Sequence, residues 1–170
     1  MVANKVIVND KYQVDYTYEL TESIGMNFDE TFNPELTPAE MLELGVFGGA
    51  YFVNTGDEFP KEWFKNAKLS TGIQDPELNF FGVNASQSIE VWREKGWINE
   101  EHDPRGWFQW YCRYFMGRRL YPEDQRQIRR WRAMKRHVSQ VANNCTRGDW
   151  DCRRKQRQAL LHWAYDSRKF

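Results

Sequence analysis

At 170 residues, with 28% charged side chains and a mean hydropathy of −0.83, the chain suits one well-packed domain and is too short for two independent cores. No apolar run approaches the roughly 18 residues of a membrane span, and the N-terminus lacks the apolar core of a signal peptide, so the expected setting is intracellular, cytoplasmic or in the nucleoid or nucleus, with no membrane partner. The net charge of zero conceals a division: through Asp103 there are 7 Lys and Arg against 19 Asp and Glu, a net −12, and after it 17 against 5, a net +12.

In chain order, Tyr12, Val14, Tyr16, Tyr18 and Leu20 alternate with polar residues, which predicts a hairpin over 5–20 with its turn near Asn9-Asp10. Residues 21–34 show no period and read as a loop. Thr37-Pro-Ala-Glu40 is a capping box with proline at the first helical position, and Gly45 can end the short helix it starts. The apolar run 45–52 carries Gly48-Gly49, which reads as a packed turn or as backbone approached by a ligand. It has neither phosphate-loop nor dinucleotide spacing. A short amphipathic helix is expected over 59–69, and another from Asn84 or Ser86 to Lys95, ended by Gly96.

The stretch 103–119 packs six aromatics among four arginines. Asp103 as N-cap, Pro104 at the first position and Gly117 past the end predict a helix over 104–116. Trp107, Trp110, Tyr111, Tyr114 and Phe115 share one side of it, read as core, while Arg105, Gln109 and Arg113 fall on another. A long helix is expected over 122–142, with Glu123 and Asp124 in its first turn and Arg129, Arg132 and Arg136 along one face, Arg126 and Arg130 beside them. Such a stripe of like charge calls for acidic neighbours or an anionic ligand. A final helix, capped by Asp149 or Asp151, runs to about Tyr165. It opens on Arg153-Arg-Lys-Gln-Arg157, where cations oppose the helix dipole unless an anion binds.

The fold class expected is mainly α: a single helical domain with an N-terminal β-hairpin and a C-terminal three-helix bundle. The boundaries are 1–34 for hairpin and loop and 35–170 for the helical domain, acidic over 35–103 and basic over 104–170, as one folding unit.

No nucleophile triad, paired-carboxylate signature or metalloprotease helix is present, and catalytic residues are not identified. His137, Cys145, Cys152 and His162 are the only candidate metal set. Their spacing fits no common zinc pattern, Cys145 and Cys152 could also bridge a small loop, and the expected state is reduced thiols with no cofactor. Arginine, abundant in the basic half, is suited to bidentate phosphate contacts, and no zinc-finger, homeodomain or RNA-recognition motif is present. The leading expectation is therefore a nucleic-acid-binding protein, with DNA the partner, that contacts the phosphate backbone through Arg118, Arg119, Arg126, Arg129, Arg130, Arg132 and Arg136. If any of Trp107, Trp110, Trp131 and Trp150 is exposed, it can stack on unpaired bases; three of the four are expected in the core. A second reading is an enzyme modifying a DNA base or nucleotide in a pocket lined by Gly48, Gly49, Asn84, Ser86, Gln87, Trp107 and Arg113. A third is an assembly protein, a homo-oligomer in which acidic and basic halves of different copies meet.

Gly45-Val-Phe-Gly-Gly, Leu78-Asn-Phe-Phe-Gly-Val, Trp92-Arg-Glu-Lys-Gly-Trp-Ile98, Asp103-Pro-Arg-Gly-Trp-Phe-Gln-Trp-Tyr-Cys-Arg-Tyr and Gln158-Ala-Leu-Leu-His-Trp-Ala-Tyr-Asp-Ser-Arg168 resemble stretches shared by a family of predicted proteins of unassigned function. The resemblance spans 36–169. It implies one structural unit with the hairpin appended, and no activity, cofactor or catalytic residue.

Overall fold

Tyr16, Tyr18 and Leu20 of the alternating run lie in the second strand of an antiparallel hairpin, β1 Asn4–Val8 and β2 Tyr16–Leu20, with Val6 opposite Tyr18 and Val8 opposite Tyr16, whereas Tyr12 and Val14 fall in the connection between the strands. The computed structural model describes residues 4–52 and 57–170. Its helices are α1 Pro38–Leu44, α2 Ile89–Glu94, α3 Trp107–Met116, α4 Glu123–Ala133, α5 Lys135–Asn144 and α6 Arg154–Leu161. Tight 3-10 turns occupy Phe47–Gly49, Lys61–Phe64, Pro76–Leu78 and Ser167–Lys169. The chain forms two units. One takes the chain through Asn33, Asn54–Pro60 and Gln87–Arg129; the other takes Pro34–Val53, Lys61–Ser86 and Arg130–Phe170, so the division falls within α4.

In the first unit α3 is the core. Every residue of it except Phe115 is buried, the polar Gln109 and Arg113 included, so it is not the two-sided helix its spacing predicts. Phe32, from the loop after the hairpin, enters its aromatic side, with ring centroids 5.4 Å from Trp110, 5.6 Å from Tyr111 and 5.5 Å from Tyr114. Burying one such ring is worth about 1.5–3 kcal/mol. Gly117 ends α3 at φ 126°, and a Cβ there would lie 2.1 Å from the Glu22 carbonyl oxygen, so only glycine fits. Asp103 does not cap the helix. Gly106 holds that position without a side-chain bond, and Asp103 serves as a buried counter-ion. The hairpin is not an appendage: it belongs to the same unit as α3, where Gln13 accepts from Arg113.

In the second unit α1 begins as its sequence demands. The Thr37 hydroxyl accepts from Glu40 N at 3.1 Å, and the Glu40 carboxylate accepts from Thr37 N at 3.0 Å. The helix expected over 59–69 is reduced to the 3-10 turn at Lys61–Phe64, which seats Trp63 in the core and continues in three-residue bonds such as Ala67 N to Phe64 O. The long helix expected over 122–142 breaks at Met134, whose N–H turns to Trp131 O, giving α4 and α5 in its place. α5 packs on α6, where Gln156 of α6 reaches His137 at 2.9 Å and Gln140 at 2.6 Å. α6 starts after Arg153, at φ 55°, with no side-chain cap. Asp149 accepts from Asp151 N instead, and the helix ends at Leu161, four residues short of Tyr165. Trp131 stacks on Tyr165 at 4.9 Å, and the Tyr165 hydroxyl donates to Trp131 O. Among the described residues, no helix is long and apolar enough to cross a membrane.

Candidate nucleic-acid interface

The seven arginines expected on phosphate divide by what surrounds them. Arg118 is 1% exposed and donates to Asp103 at 2.7 Å, so the assignment of a surface contact to it is corrected: its charge is neutralised inside the first unit. Arg119 lies 3.7 Å over the Tyr114 ring and donates to the carbonyls of Tyr114, Arg118, Met26 and Asn27, which makes it a clamp on the loop after the hairpin. Arg126 is held bidentate by Glu123 at 2.7 and 3.0 Å, and Arg130 sits over the Trp163 ring at 5.3 Å. Arg129, Arg132 and Arg136 are exposed, as is Lys135. Among the described residues none of these four makes an ion pair.

This segment differs from the rest in its balance of charge. From Gln125 to Gly148 there are seven Lys and Arg and no Asp or Glu. The outward cations of α4 and α5 therefore have no carboxylate on their own helices downstream of Asp124. His137, next to Arg136 on α5, is held below its ordinary pKa by partial burial and by Arg136, so it adds no charge near neutral pH.

The residues proposed for a pocket are engaged by their own neighbours. Gly48 N donates to the Asn79 carboxamide at 2.8 Å and Gly48 O accepts from Asp75 N; a Cβ on Gly48 would lie 2.4 Å from Gln74, and one on Gly49 2.7 Å from Lys68 O. The close approach that requires glycine is made by the protein's own backbone, not left for a ligand. Asn84 accepts from Ser86 N in an exposed local turn, the Ser86 hydroxyl accepts from the Gln74 carboxamide twelve residues earlier, and Gln87 is exposed before α2. In the first unit Trp107 donates to Gln127 O. Arg113, 0% exposed, has every N–H group occupied: Nε and Nη2 by Glu58, Nη2 also by Gln13, and Nη1 by Asp103 and His102 O. It has no donor left for a substrate, which corrects its placement in a catalytic pocket.

Glu58, Asp103, Arg113 and Arg118 form a buried set of two anions and two cations, closed by the Tyr18 hydroxyl donating to Glu58 at 2.6 Å. Burial alone would lower the Arg113 pKa, but hydrogen bonding and charge from Glu58 outweigh it and raise it; Asp103 does the same for Arg118. Tyr18 is pushed well up by burial and by Glu58, so it stays a donor. Spacing gave no sign of this set, because Glu58 and Asp103 come from the acidic half and the arginines from the basic half.

The metal candidates are corrected by oxidation and burial. Cys145 and Cys152 are joined in a disulfide, so they offer no thiolates and are not the reduced pair expected of an intracellular chain. His162 is buried, its Nε2 accepting from Phe47 N at 3.2 Å, and burial holds its pKa down to about 3. No group of three His, Cys, Asp or Glu able to hold a metal occurs among the described residues.

Of the four tryptophans named for base stacking, Trp107, Trp110 and Trp131 are core and Trp150 is 41% exposed. Exposed basic residues absent from the expected site are Lys135, which opens α5 and whose spacing places its stem on the inner side of the helix, and Arg153 and Lys155 at the start of α6, where cations against the dipole were the sequence signal.

The chain matches no family model, no curated protein and no solved structure.

Proposed function

We propose that the protein binds nucleic acid by contacting the phosphate backbone with Arg132, Lys135 and Arg136 of α4 and α5. The observation that carries this reading is the absence of any carboxylate over 125–148 beside exposed cations that have no ion pair among the described residues. Like charges three or four apart on a helix destabilise it by a few tenths of a kcal/mol per pair, and a phosphate backbone relieves that repulsion while releasing its counter-ions. The contacts are to phosphate, so the reading implies little sequence preference. DNA is the partner proposed, and the location proposed with it is intracellular, although the Cys145–Cys152 disulfide is of a kind that persists in oxidising compartments.

Arg132→Glu with Arg136→Glu reverses two of the charges without touching a buried group. Binding of a labelled oligonucleotide at about 50 mM salt is expected to weaken at least tenfold in this variant. Arg119→Gln, at an arginine already committed to carbonyls, serves as the control and is expected to change it less than threefold. Equal binding by wild type and the double variant would contradict the assignment.

A further inference from the structure

Trp150 is a large aromatic on the surface whose one polar atom is already satisfied. Its Nε1–H donates to Arg168 O at 3.2 Å, so the 41% of the residue left in contact with solvent is not there to hydrate the indole nitrogen. Its ring neighbours meet it edge to face, Phe80 at 5.2 Å and 65° and Phe81 at 6.0 Å and 82°. Neither lies parallel on the indole.

The platform is held rigidly. The Cys145–Cys152 disulfide closes the connector that carries Trp150, and backbone bonds from Asp149 N to Thr146 O and from Cys152 N to Asp149 O fold it. Arg157, buried, donates to Cys152 O at 2.8 Å and to Ser167 O at 2.9 Å, and Arg154 donates to Phe81 O. An aromatic fixed before binding loses little freedom when a ligand arrives. Between Cys145 and Lys155 the connector carries Arg147, Arg153, Arg154 and Lys155 against Asp149 and Asp151. Arg147, Arg153 and Lys155 are exposed and make no ion pair among the described residues. α5 joins this connector directly and brings Lys135 and Arg136 from its other end, about 12 Å along a helix of that rise.

We infer that Trp150 is a stacking platform for an unpaired base of single-stranded nucleic acid, whose phosphates are met by the cations of the connector and α5. A flat aromatic beside arginines and lysines matches a base and its phosphodiester, and every base offers a π-face, so the site selects strandedness over sequence. This inference rests on the phosphate-binding function proposed above and names the form of nucleic acid that function serves.

The test compares wild type, Trp150→Ala and Trp150→Phe, each checked for an unchanged circular-dichroism spectrum, on a labelled oligothymidylate, its ribose counterpart, an abasic strand of the same length and a duplex. Trp150→Ala is expected to weaken single-strand binding about tenfold, Trp150→Phe to recover most of it, and both to leave duplex and abasic binding within twofold. The better of the two sugar forms identifies the natural strand. If wild type binds these strands and Trp150→Ala binds them equally well, stacking is overturned while phosphate binding stands. If wild type binds none of them, both readings fall together.

Discussion

Asp103 lies between two guanidinium groups, 3.2 Å from Arg113 and 2.7 Å from Arg118, with no exposure to water. Removing one partner of a buried pair leaves an uncompensated charge, which costs about 3–5 kcal/mol. Asp103→Asn is therefore expected to lower the unfolding free energy in urea by about that amount, and a change below about 1 kcal/mol would contradict the buried set. His162 gives a second, pH-dependent prediction. Its folded pKa of about 3 lies below its ordinary value of 6.5, so between those values the unfolded chain binds a proton that the folded chain does not. Stability from this residue is thus complete above about pH 6.5 and is lost progressively as pH falls toward 3. His162→Gln, which keeps an acceptor for Phe47 N, is expected to flatten the decline of stability between pH 6.5 and 4; parallel profiles for variant and wild type would contradict it.

At the scale of elements, Gly45 shows how a turn sets the second unit. It sits at φ 108°, and a Cβ on it would lie 2.0 Å from the Leu78 carbonyl oxygen. Gly45→Ala is expected to destabilise by more than about 2 kcal/mol in thermal melts, because backbone, not a flexible side chain, must move. Reduction of the Cys145–Cys152 bridge, which closes a loop with a sequence separation of 7, is expected to lower stability by about 2 kcal/mol, read as a shift of the urea midpoint with and without a phosphine reductant.

The local signals that reach the structure intact are those whose chemistry is local. The Thr37–Glu40 box, the alternating tyrosines of β2 and Gly117 after α3 each act within a few residues. Asp103 fails as a cap because two arginines on α3 and just past it offer a charge where α3's amides offer only partial ones, and that competition is tertiary. The break at Met134 leaves no mark in an arginine stripe that continues through it. At the candidate site the cation-rich segment was plain in the sequence, whereas which arginines remain outward depended on distant acids such as Glu58, and on the aromatic rings of Tyr114 and Trp163.

Across the whole molecule the division of charge is smaller than the linear sequence implies. The first unit holds 10 Lys and Arg against 15 Asp and Glu, and the second 14 against 9, because the units interleave segments of both halves. Part of the polarity is consumed internally, as Arg113 with Glu58 and Arg118 with Asp103 show. What remains outward is the cationic surface of α5, its approach from α4 and the connector to α6, and the account centres on its use for phosphate. The most direct measurement is the affinity of wild-type protein for a labelled oligonucleotide between about 50 and 200 mM salt. Three phosphate contacts on a duplex predict a loss of roughly 40-fold over that range, on a straight line of log affinity against log salt. Binding that ignores salt, or no binding at about 50 mM, would contradict the account.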